Sequence, residues 1–188
     1  MIKKNNIKIL FTGLSNSGKS SILSKYLYNK MSNNMNKTEF NLLKYHESNV
    51  TYRFQIWNTL SILKQYYTKA QIIVFVFDIT NLESLKHFDI YLKKKLLLNN
   101  QMIIFIGNKY DLKNHIPKTY ILKYIANSLK DYNKINFNYY NVSALTSYNI
   151  NNLFNFIIKY CINHEEDNIL ETINNNKNNI YNRYNLCC

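Results

Sequence analysis

The chain alternates short, solidly apolar runs with longer stretches in which apolar positions recur every three or four residues. Residues 7–12 (IKILFT) read as a buried strand, and Gly13 to Ser20 separates them from a helix over 20–30. Residues 31–37 are polar and aperiodic. Residues 40–47 and 50–57 alternate as a hairpin pair, 60–69 suit a short helix, and 71–77 (QIIVFVF) a fully buried strand. An amphipathic helix over 82–98, a buried strand over 101–106 and a helix over 117–129 follow. Pro117 opens the last of these, where a missing amide hydrogen costs nothing. A strand over 135–142 and a helix over 147–162 complete the pattern. Strands that are apolar on both faces and alternate with helices predict an α/β fold, a mostly parallel six-stranded sheet with helices on both faces. From residue 163 the apolar pattern fails, and residues 163–188 read as a flexible, Asn-rich tail.

Composition sharpens this picture. At 188 residues, 46% hydrophobic, the chain suits a single domain that buries about 70% of its unfolded surface. Cys161 stands apart from Cys187 and Cys188, so no disulfide framework exists and a reducing compartment is expected. No cleavable leader is visible, and no apolar run nears the ~20 residues of a membrane span. The net charge of +13 comes from scattered lysines whose only tight run is Lys93–Lys95, which favours a solvated surface over a nucleic-acid face. The four histidines show no zinc spacing, Cys161 reads as core, and Trp57 as packing rather than a base-stacking platform. Glycine is the informative count. There are 3 where average usage gives about 13, so each is expected where the backbone requires it.

Two of the three stand in Gly13-Leu-Ser-Asn-Ser-Gly18-Lys19-Ser20, a phosphate-binding loop between strand and helix. Gly13 and Gly18 let successive amide hydrogens, over Ser15, Asn16, Ser17 and Ser21 as well, converge on phosphate oxygens. Lys19 places a cation beside the outer phosphates, and the Ser20 hydroxyl can ligate Mg²⁺. The chain therefore reads as a single P-loop NTPase domain over residues 1–162. The third glycine begins Gly107-Asn108-Lys109-Tyr110-Asp111, after a buried strand. Asp111 can accept from two N–H groups on one edge of guanine, whereas adenine would leave it unpaired. Asn108 and Lys109 are expected to hold the neighbouring backbone and cover the base.

With both motifs in place, residues 7 to about 162 resemble the Ras-like small GTPases, and within them the Rab family. Val142-Ser143-Ala144 looks like the third guanine-contacting segment, bringing in Ser143 and Ala144, although Leu145 stands where a lysine is usual. Arg53-Phe-Gln-Ile-Trp57, Tyr66-Tyr67-Thr-Lys-Ala70 and Phe77-Asp78-Ile-Thr80 are Rab-like, and Cys187-Cys188 resembles a doubly prenylated terminus. The resemblance implies bound GDP or GTP with Mg²⁺, vesicle-mediated membrane traffic, an exchange factor, a dissociation inhibitor and effectors. It also implies a prenyl-anchored place on the cytoplasmic face of endomembranes, with a cytosolic pool.

The departures lie in the switches. After the tryptophan a typical Rab reads Asp-Thr-Ala-Gly-Gln-Glu-Arg-Phe before the segment that matches Leu60 onward, where this chain has only Asn58-Thr59 ahead of Leu60-Ser61-Ile62, about six residues fewer. The glycine that senses the γ-phosphate and the glutamine that orients water are absent, and Asn58 replaces the aspartate that holds Mg²⁺ through water. Ile62, nearest to the glutamine by count, has no hydrogen-bonding group, so no catalytic residue is identified. Counting from Ser20 puts Thr38 at the Mg²⁺-sensing position, and counting back from Phe40 puts Met35 there. The expectation is a GTP binder with slow hydrolysis. A membrane-tethered scaffold with structural or absent nucleotide is the alternative. A small-molecule kinase is disfavoured by the guanine motif and by the lack of a lid-like Arg cluster.

Overall fold

A sheet strand that is apolar on both sides needs cover on both faces, and the two such runs predicted here, 71–77 and 101–106, become neighbouring strands of which neither is at the sheet's edge. The computed structural model describes residues 4–31, 39–47, 50–98, 101–132 and 135–164. Its strands are β1 (Lys4–Thr12), β2 (Glu39–Glu47), β3 (Val50–Asn58), β4 (Ile72–Asp78), β5 (Met102–Asn108) and β6 (Asn136–Asn141). They form one sheet in the order β2-β3-β1-β4-β5-β6, antiparallel only between β2 and β3. The described chain divides into a unit Met1–Phe154 and a unit Asn155–Cys188, whose described part, residues 155–164, is helical.

On one sheet face Leu10, Ile73, Phe75, Phe77, Ile103 and Phe105 pack with residues of α2 (Lys64–Tyr67), α3 (Leu82–Lys86), α4 (Phe88–Lys93) and α5 (Lys118–Leu129). Phe75 meets Phe88, Tyr91 and Phe105 edge-on at centroid distances of 5.2, 5.5 and 5.8 Å, the orientation aromatic quadrupoles favour. On the other face Phe11 stacks with Phe154 at 6.0 Å, and Phe154 with Tyr26 of α1 (Lys19–Tyr28) at 3.7 Å. The sheet is thus sandwiched as the apolar pattern requires.

Four elements differ from expectation. The single helix foreseen over 82–98 is two short ones, α3 and α4, ending at Lys93. His87 keeps helical dihedrals, but the Ile90 N–H reaches only back to His87, a tightened turn that interrupts the ladder. Leu96 and Leu97 are buried without helical structure. The helix foreseen over 60–69 shrinks to α2, because Thr59 Oγ1 accepts from the Ser61 N–H at 2.9 Å and Ser61 Oγ from the Leu63 N–H at 3.3 Å. Such local bonds compete with a helical turn. Pro117 caps α5 from outside, with extended ψ, rather than opening it. The last helix, α6, runs over 150–164 and not from 147, since Ser147 and Asn149 adopt positive φ. Residues 32–38, 48–49 and 165–188, including Met35, Thr38, Cys187 and Cys188, lie outside the described residues.

A candidate nucleotide site at the strand ends

β1, β4 and β5 run parallel, so their C-terminal ends open on one edge, where parallel α/β sheets bind ligands. The loop after β1 is shaped by two glycines. Gly13 has φ +133° and a Cβ there would lie 2.1 Å from the Val76 carbonyl oxygen; Gly18 has φ +94° and its Cβ would meet Asn108 Nδ2 at 2.0 Å. Neither position admits a side chain. Asn16 supplies a further left-handed turn at φ +62°, the conformation Asn tolerates best after Gly. Gly18 is the N-cap of α1, with no side chain bonded to the first-turn amides and no acidic residue there. Those donors and the positive end of the helix dipole remain for an anion.

Lys19 is 6% exposed, and its ammonium donates to the carbonyls of Gly13 (3.1 Å) and Leu14 (2.8 Å). Burial lowers its pKa to about 8. Ser15 and Asn16 are exposed, Ser20 and Ser21 half-buried. Ser17 is 1% exposed, and its hydroxyl has no hydrogen-bond partner among the described residues. A buried cation and an unsatisfied hydroxyl on one loop are costly unless a ligand compensates.

The end of β5 supplies the other half. Buried Asn108 donates from Nδ2 to the Ser17 carbonyl at 2.9 Å and accepts from the Ala144 N–H at 3.2 Å. One amide thus joins the phosphate loop to the segment after β6. Exposed Asp111 accepts from the buried Ser143 hydroxyl, and Ser143 Oγ also accepts from the Thr146 N–H at 3.1 Å. The Asp111 carboxylate is therefore oriented while keeping acceptor capacity. Lys109, at φ +66°, sets its ammonium 2.6 Å from Asp78 Oδ2, while Asp78 Oδ1 accepts from the Thr80 N–H and hydroxyl. Burial works against the Asp78 charge, but the hydrogen bonds from Lys109 and Thr80 outweigh it and hold the carboxyl below its usual range. Tyr110 stacks between His115 (4.7 Å) and Tyr148 (5.2 Å), bracing the two base-side loops against each other. Leu145 is 63% exposed.

The switch side is built differently. Asn58 closes β3, is 3% exposed and donates from Nδ2 to Ser20 Oγ at 2.8 Å. Thr59 is buried, and its N–H bonds the Phe11 carbonyl at 3.0 Å. Ile62 packs against the apolar core. Phe40, Trp57 and Tyr66 form an aromatic chain with centroid spacings of 4.9 and 6.3 Å. Sequence reasoning named the phosphate-loop and guanine residues, and the fold brings the described ones together. It did not assign site roles to Asp78, or to Thr12, Tyr67 and Tyr91, which meet beneath the phosphate loop. A hydroxyl at the end of the apolar run IKILFT was the signal available for Thr12.

A family model described as the Ras family matches residues 8–163. Ras-related protein RabT2 of Dictyostelium discoideum is 32% identical over 169 residues, covering 83% of this chain and 76% of the relative. Ras-related protein Rab-1 of Theileria annulata is 32% identical over 164 residues, covering 81% and 72%. Ras-related protein Rab-34 of Rattus norvegicus is 27% identical over 159 residues, covering 78% and 60%.

Proposed function

The chain belongs to the Ras family as a divergent Rab-like small GTPase, and from that membership we propose that it binds GDP and GTP and acts in membrane traffic with slow GTP hydrolysis. The observation that carries the reading is the Asn108 bridge: the amide that meets the Ala144 N–H also holds the Ser17 carbonyl, so phosphate and base contacts are assembled as one unit. On this reading Gly13, Ser15, Asn16, Ser17, Gly18, Lys19, Ser20 and Ser21 surround the phosphates. Asn108, Lys109, Asp111, Ser143 and Ala144 take the guanine.

Mg²⁺ fits the loop through the Ser20 hydroxyl, and Thr38 is its proposed second protein partner. When bound, the ion neutralises phosphate charge. The supporting carboxylate is replaced by Asn58, a neutral amide that already donates to Ser20, and no cluster of three or more His, Cys, Asp or Glu occurs among the described residues. Support for slow hydrolysis comes from the short segment after Asn58, in which Ile62 packs on the core and has no group with which to orient water.

In this reading residues 1–162 are the nucleotide-binding domain and 163–188 a tail prenylated at Cys187 and Cys188. Stable anchoring takes two signals, and the tail carries no polybasic patch, so both chains are needed. No described helix is long and apolar enough to cross a membrane. The proposed location is the cytoplasmic face of endomembranes, with a cytosolic pool held by a dissociation inhibitor. Changing Cys188→Ser is expected to release part of the protein from membranes, and changing both cysteines all of it.

The deciding experiment is the identity of the nucleotide released when the purified protein is denatured. Stoichiometric GDP or GTP is expected. Adenine nucleotide would overturn the guanine assignment, and none at all would favour the membrane-tethered scaffold.

A further inference from the structure

Three hydroxyls meet beneath the phosphate loop. Thr12 Oγ1 lies 3.0 Å from the Tyr67 hydroxyl and 2.9 Å from the Tyr91 hydroxyl, all three side chains buried. The Tyr67 hydroxyl also donates to the Ser61 carbonyl at 3.2 Å, and the Gly13 N–H donates to the Tyr91 oxygen. The direction of this chain is forced. A backbone N–H stands at one end and can only donate, and a carbonyl at the other can only accept. With one proton per hydroxyl, the order is Gly13 N–H to Tyr91, Tyr91 to Thr12, Thr12 to Tyr67, and Tyr67 to Ser61. Every proton and every step has a partner, the condition under which a buried polar chain rigidifies instead of destabilising.

Both ends matter to the proposed site. Gly13 begins the phosphate loop, and Ser61 lies in the shortened segment after Asn58. That segment is tied at further points: Thr59 N–H to the Phe11 carbonyl, Ser61 N–H to Thr59, and Leu63 N–H to Ser61. Behind it, Gln101 Nε2 donates to the carbonyls of Tyr67 (3.1 Å) and Ala70 (2.9 Å), fixing the end of α2. None of these bonds uses a nucleotide atom.

The geometry points to Thr12, Tyr67 and Tyr91 as positioning residues that pin residues 59–67 to the floor of the phosphate loop, in one conformation whichever guanine nucleotide is bound. A ligand shifts a conformational equilibrium only through differential contacts with two states, and a segment held by the protein's own hydrogen bonds offers the γ-phosphate little to act on. The inference rests on the nucleotide-binding reading, and it makes this segment a permanent part of the surface instead of a reporter.

Hydrogen exchange of the full chain loaded with GDP or with a non-hydrolysable GTP analogue tests it. In the unmutated protein the amides of 59–66 are expected to exchange within about twofold of each other in the two states. Tyr67→Phe keeps the ring and removes the link to Ser61, and is expected to speed exchange there about tenfold, as is Thr12→Val. Thr12→Ser keeps the hydroxyl and should restore slow exchange. Peptides from β4 and β5 are the internal control. Strong nucleotide dependence in the unmutated segment, unchanged exchange in Tyr67→Phe, or an equal rise in β4 and β5 would each overturn the pin. The variant comparison also runs on the nucleotide-free chain, so failure to bind guanine nucleotide overturns the pocket reading and leaves the pin to be judged on exchange alone.

Discussion

The base side and the switch side of the pocket are both dense with hydrogen bonds, yet the bonds serve different ends. On the base side the motif residues hold one another in position for a ligand: Asn108 bridges Ser17 and Ala144, Ser143 orients Asp111, and Asp78 holds Lys109. On the switch side the chain satisfies itself, with Thr59, Ser61 and Tyr67 consuming one another's donors and acceptors. On the proposed reading, the difference implies that holding a nucleotide and reporting its phosphate count are separable properties of one fold.

The largest expected effect lies on the switch side. An activating protein ordinarily contributes about 10⁵-fold to hydrolysis, through an arginine acting on water placed by glutamine. Single-turnover hydrolysis of bound GTP is expected to stay slow and to gain little from such proteins. Ordinary acceleration would mean that another residue places the water and would erase the contrast. On the base side, Asp111→Asn should cost up to ~10⁴-fold in GDP affinity while improving the relative binding of xanthine nucleotides, because an amide donates where xanthine offers a carbonyl. Competition against a fluorescent guanine nucleotide measures this. Asn108→Ala should accelerate nucleotide release by roughly 10- to 100-fold, since it strands the Ser17 carbonyl and the Ala144 N–H at once. A stopped-flow chase that found no change would break the claim that the two halves are one unit.

The smallest effect concerns Lys19. Its folded pKa of about 8 lies below that of an exposed lysine, so between about pH 8 and 10.5 the unfolded chain binds the extra proton and stability rises with pH. Below pH 8 both states are charged and the window closes. A polyphosphate favours the ammonium, so binding above pH 8 should take up a proton and weaken by up to about tenfold per unit. Calorimetry in buffers of different ionisation enthalpy reads the uptake, and Lys19→Arg should abolish it.

How far the sequence could be read follows the same division. The buried strands were legible as apolar runs that only a sheet covered on both faces accommodates, and one hairpin pair as alternation, but the order of strands in the sheet was not; the residues proposed for phosphate and guanine came from motifs whose chemistry such a ligand prescribes. The single helix expected over 82–98 failed at His87, because apolar periodicity persists through a tightened turn. The helix expected over 60–69 failed because Thr59 and Ser61 bond their own backbone, a choice that propensity alone does not reveal. The Thr12, Tyr67 and Tyr91 cluster joins residues 55 and 79 positions apart, and no local pattern encodes such a meeting.

The bond from Asn108 to the Ser17 carbonyl spans 91 positions of chain, and Asn108 in turn reaches 36 positions forward to Ala144. Contacts of such separation form late, because loop closure precedes any return from the contact. The first motif made on the ribosome therefore waits for the last. At about 5–20 residues per second, residue 144 is reached roughly 7–30 s after synthesis begins, and until then Asn108, the partner of the Ser17 carbonyl, lacks the Ala144 N–H that holds it. Nascent chains arrested before residue 144 are expected to retain no guanine nucleotide, while chains released at full length capture it. During its own synthesis the chain is thus expected to take up nucleotide only after residue 144 has been made, with 44 residues still to follow.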